Sequence, residues 1–141
     1  MAFPVRHQTI AGGTGTLTAA PVAGDTTGGT GISLANLEKG TLSCLFTVLA
    51  QTTNLTLTGK FQVSDDNSTY HDLAGDAQNP ANVPIATGTA SVDIAVTKVL
   101  PVPEAAFGWK YLRAAVVNGV ATGAVGDTYD FSFRCRKFSG F

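Results

Sequence analysis

Charged residues are scarce in this sequence. Asp, Glu, Lys and Arg make up 13% of it, about half of the roughly 25% usual in globular domains. Nine Lys and Arg stand against ten Asp and Glu, for a net charge of −1. No basic field exists to neutralise a run of phosphates, so nucleic acid is excluded as the expected partner. Histidine is nearly absent too, with only His7 and His71, and a nucleophile–base pair would need one of them. His7 falls in a Gly/Thr-rich beginning, a poor place for a preorganised site. His71 has Ser64 and Asp72 near it in sequence only, whereas the members of a triad converge in space. Glutamate occurs twice, at Glu38 and Glu104, and no carboxylate pair of the glycosidase kind stands out.

Metal and phosphate signatures are missing as well. Asp65, Asp66 and Asn67 are oxygen-rich, but their spacing is not that of an EF-hand loop and no Glu follows where one is required. They read as a hairpin turn. The Gly-Gly-Thr-Gly steps of the beginning lack a Walker lysine and a following helix. The expectation is therefore a protein with no catalytic residues, no cofactor and no metal. Nor does any apolar run approach the roughly 20 residues of a membrane span. The start, Met1 to Gly15, has one Arg and no apolar stretch behind it, so neither a secretory leader nor a membrane partner is expected. The two cysteines, Cys44 and Cys135, are too few for a disulfide framework. Both sit in apolar, strand-like segments, which leaves two buried thiols or one cross-sheet disulfide. Without a route to an oxidising compartment, the reduced form is expected.

What the sequence does contain is alternation. In residues 55–64, Leu55, Leu57, Phe61 and Val63 share one parity and Thr56, Thr58, Lys60 and Gln62 the other, as in a strand with one buried face. Residues 128–137 repeat this, with Tyr129, Phe131, Phe133 and Cys135 inward and Asp130, Ser132, Arg134 and Arg136 outward. Residues 41–49 are apolar on both parities, as a strand buried on both faces would be. Residues 69–73 read as a return strand after the turn, and 91–100 and 109–117 as further strands. Residues 75–90, with Pro80 and Pro84, read as a long loop, and 103–107 as one helical turn. No helix of ordinary length can be drawn. The fold class is all-β, an antiparallel β-sandwich or jelly roll.

Residues 11–31 are rich in Gly, Thr and Ala and show no apolar periodicity. The expected organisation is an extended N-terminal arm over 1–31 and a sandwich domain over 32–141. Ordering such an arm costs roughly 1–2 kcal/mol per residue, and more at Gly. It is therefore expected to lie on another chain, with Ile10, Leu17 and Val22 as contacts, joined in the interface by Arg134, Arg136, Phe138 and Phe141. Trp109, Tyr111 and Arg113 share one parity, either as core and strand residues or as a stacking platform for a sugar or partner.

Two segments taken together carry a resemblance. One is Phe61-Gln62-Val63-Ser64-Asp65-Asp66-Asn67-Ser68-Thr69-Tyr70-His71-Asp72-Leu73, and the other Trp109-Lys110-Tyr111-Leu112-Arg113-Ala114-Ala115-Val116-Val117. A strand ending in V-S-D-D, an aromatic in the return strand and a later Y-L-R strand resemble small jelly-roll decoration or cement proteins of tailed-phage capsids. That resemblance implies a structural virion protein, made in the host cytoplasm and seated on the capsid surface. Its partners would be the major capsid protein and itself, as a dimer or trimer, and it would clamp neighbouring subunits. The same motifs are also similar to discoidin-type carbohydrate-binding modules, with Asn67 and Tyr70 where that pattern prefers Gly and Trp. This implies the alternative of a sugar-binding or host-adhesion module of a tail or head fibre.

Overall fold

The computed structural model describes residues 5–16, 26–50, 56–73, 83–87, 94–118 and 128–138. Within them the chain runs β1 (Val5–Thr16), β2 (Thr26–Gly28), β3 (Ile32–Ser33), β4 (Ser43–Ala50), β5 (Thr56–Ser64), β6 (His71–Asp72), β7 (Val83–Thr87) and β8 (Ile94–Pro101). A short 3-10 turn (Glu104–Gly108) then leads into β9 (Tyr111–Asn118) and β10 (Thr128–Phe138).

Two sheets form. One has four strands in the order β1-β10-β4-β8. The other has β9 and β5 at its centre, with the short β2 and β3 laid end to end along β9 and the short β6 and β7 along β5. Every pairing is antiparallel, and the pairs are nested: β1 with β10, β2 and β3 with β9, β4 with β8, β5 with β7. Nested antiparallel pairing describes one long ribbon rolled so that its rungs alternate between two sheets. This is the jelly roll. The fold class read from the alternation is the one observed.

The core lies between the sheets and is aromatic. Phe46, Phe131 and Phe133 come from the four-stranded sheet and Phe61 from the other. Phe46 meets Phe131 edge-on with centroids 5.1 Å apart, and Phe46 and Phe61 face each other across the sandwich at 5.9 Å. Such geometries bring the positive ring edge toward a negative face. On β10 the inward set is Tyr129, Phe131, Phe133 and Cys135, as the alternation requires, with the last three buried.

Several expectations need correction. The described part of the proposed arm is not an arm, because β1 pairs with β10 along its length and β2 and β3 pair with β9. These residues belong to the sandwich by bonds within the chain, with β1 as an edge strand of its sheet. Apolar periodicity was the wrong test for them, since their glycines serve close approach. A Cβ on Gly12 would stand 2.8 Å from Phe133 Cε2, so the strand lies directly against the aromatic core. At Gly13, φ is +100°, and the register with β10 shifts between Ala11 and Thr14. This bulge lets Thr30 N donate to Gly12 O at 2.9 Å while Gly29 N donates to Ala114 O at 2.8 Å. Consecutive residues thereby tie one sheet to the other.

The strand at 41–49 is not covered on both faces. Cys44 and Phe46 are buried, whereas Leu45 is half-buried and Thr47 exposed on the outer side. The expected loop at 75–90 contains β7, whose Pro84 is tolerated because β7 flanks β5 at the side of the sheet. Trp109 precedes β9 instead of belonging to it, closing the 3-10 turn through its N–H to Ala106 O at 3.0 Å.

Candidate functional site

The parity of β5 that carries Lys60 and Gln62, with the facing parity of β9, holds an ordered polar array. Cross-strand register sets Lys60 opposite Ala115, Gln62 opposite Arg113 and Ser64 opposite Tyr111, while β6 brings Asp72 beside Gln62. Gln62 is only 8% exposed and uses both ends of its amide. Its Oε1 accepts from Arg113 Nε at 2.8 Å, and its Nε2 donates to Asp72 Oδ1 at 2.9 Å. Lys60 Nζ reaches the same carboxylate oxygen at 2.8 Å. The hydrogen bond from Lys60, then that from Gln62, hold the Asp72 carboxyl below its ordinary pKa. A buried amide with both ends satisfied costs little and fixes its neighbours.

The turn after β5 builds the rest. Ser64 is fully buried. Its hydroxyl donates to Asp66 Oδ1 at 2.9 Å and accepts from the backbone N–H groups of Asp66 and Asn67. Asp66 Oδ1 in turn accepts from Ser68 N at 2.9 Å and Thr69 N at 2.8 Å. The Thr69 and Ser68 amides, with the Ser64 hydroxyl, lower the Asp66 pKa to about 2. Asn67 adopts φ +58°, a left-handed conformation that Asn tolerates, and the Tyr70 hydroxyl donates to its side-chain oxygen. The turn thus holds Tyr70 over the sheet with the Arg113 guanidinium carbon 4.1 Å from the ring centroid. Gly28 also lies close to the guanidinium, where an added Cβ would stand 2.6 Å from Arg113 Cζ.

The platform residues are thus divided. Trp109 and Tyr111 line a shallow pocket of about 340 Å³ with Ser33, Leu34, Ala35 and Lys110. Trp109 packs against the core and sets its ring 5.6 Å from that of His71. Arg113 shares the parity of Tyr111 but stands outside this pocket, under Tyr70. Among the described residues, no group of three or more His, Cys, Asp or Glu could hold a metal ion.

The proposed interface residues are also divided. Ile10 turns inward and packs against the core. Arg134 and Arg136 are exposed on the outer face of the four-stranded sheet, where Arg136 Nε lies 3.7 Å from Glu38 Oε2. Phe138 pairs with Val5 through the backbone, and Leu17, Val22 and Phe141 lie outside the described residues. That outer face has a nearly uncharged middle. Ala11, Ser132, Leu45 and Val99 form one row across all four strands, and Val99 is 59% exposed.

Gln62, Asp72, Tyr70, Lys60 and Gly28 were missed as members of a cluster. The signal was available only in part. Lys60 and Gln62 share a parity, but nothing in the sequence sets β5 beside Arg113.

No protein-family model matches the sequence, and no curated protein matches it. Solved structures do match in fold. The chain is similar to infectious bursal disease virus Gx strain, with TM-score 0.55 and 13% identity over 96% of this chain. It is likewise similar to the VP2 subviral particle of infectious bursal disease virus, with TM-score 0.53 and 12% identity. The T13 viral particle of the same virus matches with TM-score 0.52 and 17% identity. The chain spans about one third of the matched chains' length, 33% for the first and 32% for the last. The class this defines is an all-β jelly roll of the kind found in icosahedral virus particles.

Proposed function

We propose that this protein is a structural component of a virion, and more narrowly that it decorates a phage capsid and stabilises it by lying across neighbouring capsid subunits. The observation that supports this most is the jelly-roll fold, which is similar over 96% of the chain to a protein of a viral particle. The surface agrees with it. A sheet face whose central row is Ala11, Ser132, Leu45 and Val99 offers an uncharged strip for contact, flanked by the exposed Asp130 and Arg134 that a partner would have to match, and stable protein contacts bury roughly 1,200–2,000 Å². Icosahedral repetition multiplies each such contact. With β1 built into its own sheet, the clamp in this reading is the sandwich face and not an extended arm.

The test is quantitative mass spectrometry and cryo-electron microscopy of particles purified from the source. The expected result is a fixed copy number per major capsid protein, with density at capsomer boundaries. Absence from particles, combined with saturable binding on a glycan array that is lost on replacing Tyr111, would favour the sugar-binding alternative, for which the pocket of Trp109 and Tyr111 is the place.

A further inference from the structure

The outer face of the four-stranded sheet carries its charge in a symmetric order. Its central row, Ala11, Ser132, Leu45 and Val99, crosses all four strands. On β10, Arg134 stands two residues to one side of Ser132 and Asp130 two residues to the other, and both are exposed. The remaining positions in the rows of these two residues are Thr, Ser and Pro. Same-face neighbours along a strand are roughly 6–7 Å apart. One positive and one negative group thus lie at equal distances on either side of an uncharged row.

That order is self-complementary. When a second copy is laid face to face by a two-fold rotation about an axis along the row, the row meets itself and Arg134 of each copy faces Asp130 of the other. Stacked sheets lie roughly 10 Å apart, a gap that an Arg and an Asp reaching toward each other can close. Arg136, the next same-face position after Arg134, lies 3.7 Å from Glu38 and comes to face the uncharged Thr128 of the other copy. A two-fold axis along β10 would instead set Arg134 on Arg134 and Asp130 on Asp130, and like charges facing each other oppose pairing. The charge order therefore favours one register. The area also suffices. Four strands roughly 4.8 Å apart, with β4 and β8 eight residues long, make a face of roughly 500 Å² per copy. Two such faces bury about 1,000 Å² before side-chain relief is counted, near the lower bound of stable contacts, as in a reversible pair.

We infer that this sheet face is a two-fold interface between two copies of the chain, with Arg134 of each against Asp130 of the other. Such an interface uses the same patch on both copies and closes on itself. The row with Leu45 and the 59% exposed Val99 supplies apolar area, and the charge pairs fix orientation more than they add affinity. The inference deepens the virion reading and rests on it for one consequence alone: pairing would join copies seated on neighbouring capsid subunits, so that the clamp is a pair of sandwiches.

The experiment is sedimentation equilibrium of the full chain and its charge-reversal variants over the micromolar range. The expected result is a monomer–dimer equilibrium that Asp130→Arg and Arg134→Asp each weaken at least about tenfold. Both positions are exposed, so both variants should melt near the parent temperature. An equimolar mixture of the two should pair again, because one face is now wholly positive and the other wholly negative. The double variant, with the two charges exchanged, should pair with itself. Val99→Glu should also weaken pairing, by bringing two carboxylates together on the row. A parent chain that stays monomeric, or dimers that survive both single reversals, would overturn the interface. Pairing lost in the single variants and restored in neither the mixture nor the double variant would overturn the match of Arg134 with Asp130. A monomeric chain found at capsomer boundaries would leave the virion reading standing, with a capsid subunit on this face, so the two failures are read separately.

Discussion

A methyl group on Gly29 would overlap the carbonyl oxygen of Gly12 and press to within 2.6 Å of the Phe131 ring. Gly12 lies in β1 and Gly29 just past the end of β2, and they meet where the 29–30 backbone bonds to both sheets. Gly29→Ala therefore forces backbone or ring to move, and overpacking of this kind costs typically about 1–3 kcal/mol. Gly108→Ala is the control, because nothing lies within 4 Å of the added carbon, and it should fall within about 0.5 kcal/mol of the parent. Urea denaturation of both variants decides the matter. Equal midpoints would mean that the sheets are not tied at this point.

Phe46 and Trp109 should separate sharply. Phe46 is fully buried between Phe61 and Phe131, and Phe46→Ala should cost about 3–5 kcal/mol. Trp109 is only half-buried at the edge of the core, so Trp109→Ala should cost roughly 1–3 kcal/mol and leave the protein folded. Thermal denaturation checks both values, and a Trp109 variant that fails to fold would contradict its placement.

Cys44 lies opposite Phe133, whereas Cys135 lies two residues further along β10, opposite Gln8 of β1. Diagonal neighbours on adjacent strands stand roughly 7–8 Å apart, beyond the roughly 4.4–6.8 Å that a disulfide spans. Neither thiol is in a disulfide and both are buried, and burial, the main effect, pushes the Cys44 thiol well above its ordinary pKa. A thiol-reactive dye should label neither residue in the native protein and both after denaturation. Rapid native labelling, or an intact disulfide by mass, would refute this.

The Asp66 turn should open in acid. Its folded pKa, about 2, lies below the ordinary 3.8. The ionised carboxylate therefore supports the turn fully above about pH 4, and that support is lost as the pH falls through 2. Asp72 is shifted in the same direction and adds to the loss on the same side. Amide exchange at Ser68 and Thr69 should accelerate between pH 4 and 2, and in Asp66→Ala it should already be fast at neutral pH. Unchanged exchange in that variant would remove the carboxylate from its role.

Deleting residues 2–31 should abolish folding. The deletion removes β1, the sole described partner along one side of β10, together with β2 beside β9. It also uncovers Phe131 and Phe133 where Gly12 and Gly29 now lie against them. Circular dichroism should show no cooperative melt, and a truncated protein with a sharp transition would restore the idea of a dispensable arm.

The parts of the fold that were readable from sequence are those that bury one parity. In β10 the inward parity carries Tyr129, Phe131 and Phe133 and in β5 Leu57, Phe61 and Val63, and alternation identifies both strands. The parts that escaped are those where closeness replaces bulk. In β1 and just past β2, Gly12, Gly15 and Gly29 admit the rings of β10, so the usual apolar signal is weak there. β7 escaped because Pro84 counts against a strand unless its place at the side of the sheet is known. For the polar array, the residue types were visible but their convergence was not. Gln62 and Arg113 meet only because β5 and β9 are neighbours in this register.

The rolled ribbon also sets an order of events. Its innermost rung joins Val63 to His71, the next Gly59 to Val83, then Ala50 to Ile94, then Ser33 to Tyr111, and the outermost Thr16 to Thr128. Each rung encloses a longer loop than the one before, and closing a long loop first costs entropy that no contact yet repays. The chain should therefore zip outward from β5 and β6, slowly for its size, with the β1–β10 seam closing last. Substitutions along β5 should slow refolding, while those in β1 should mainly hasten unfolding. Until that seam closes, β10 presents an unpaired edge, the kind of surface on which another copy can pair in the wrong place. The same nesting that finishes the shell-like sandwich thus makes its final step the one most exposed to error.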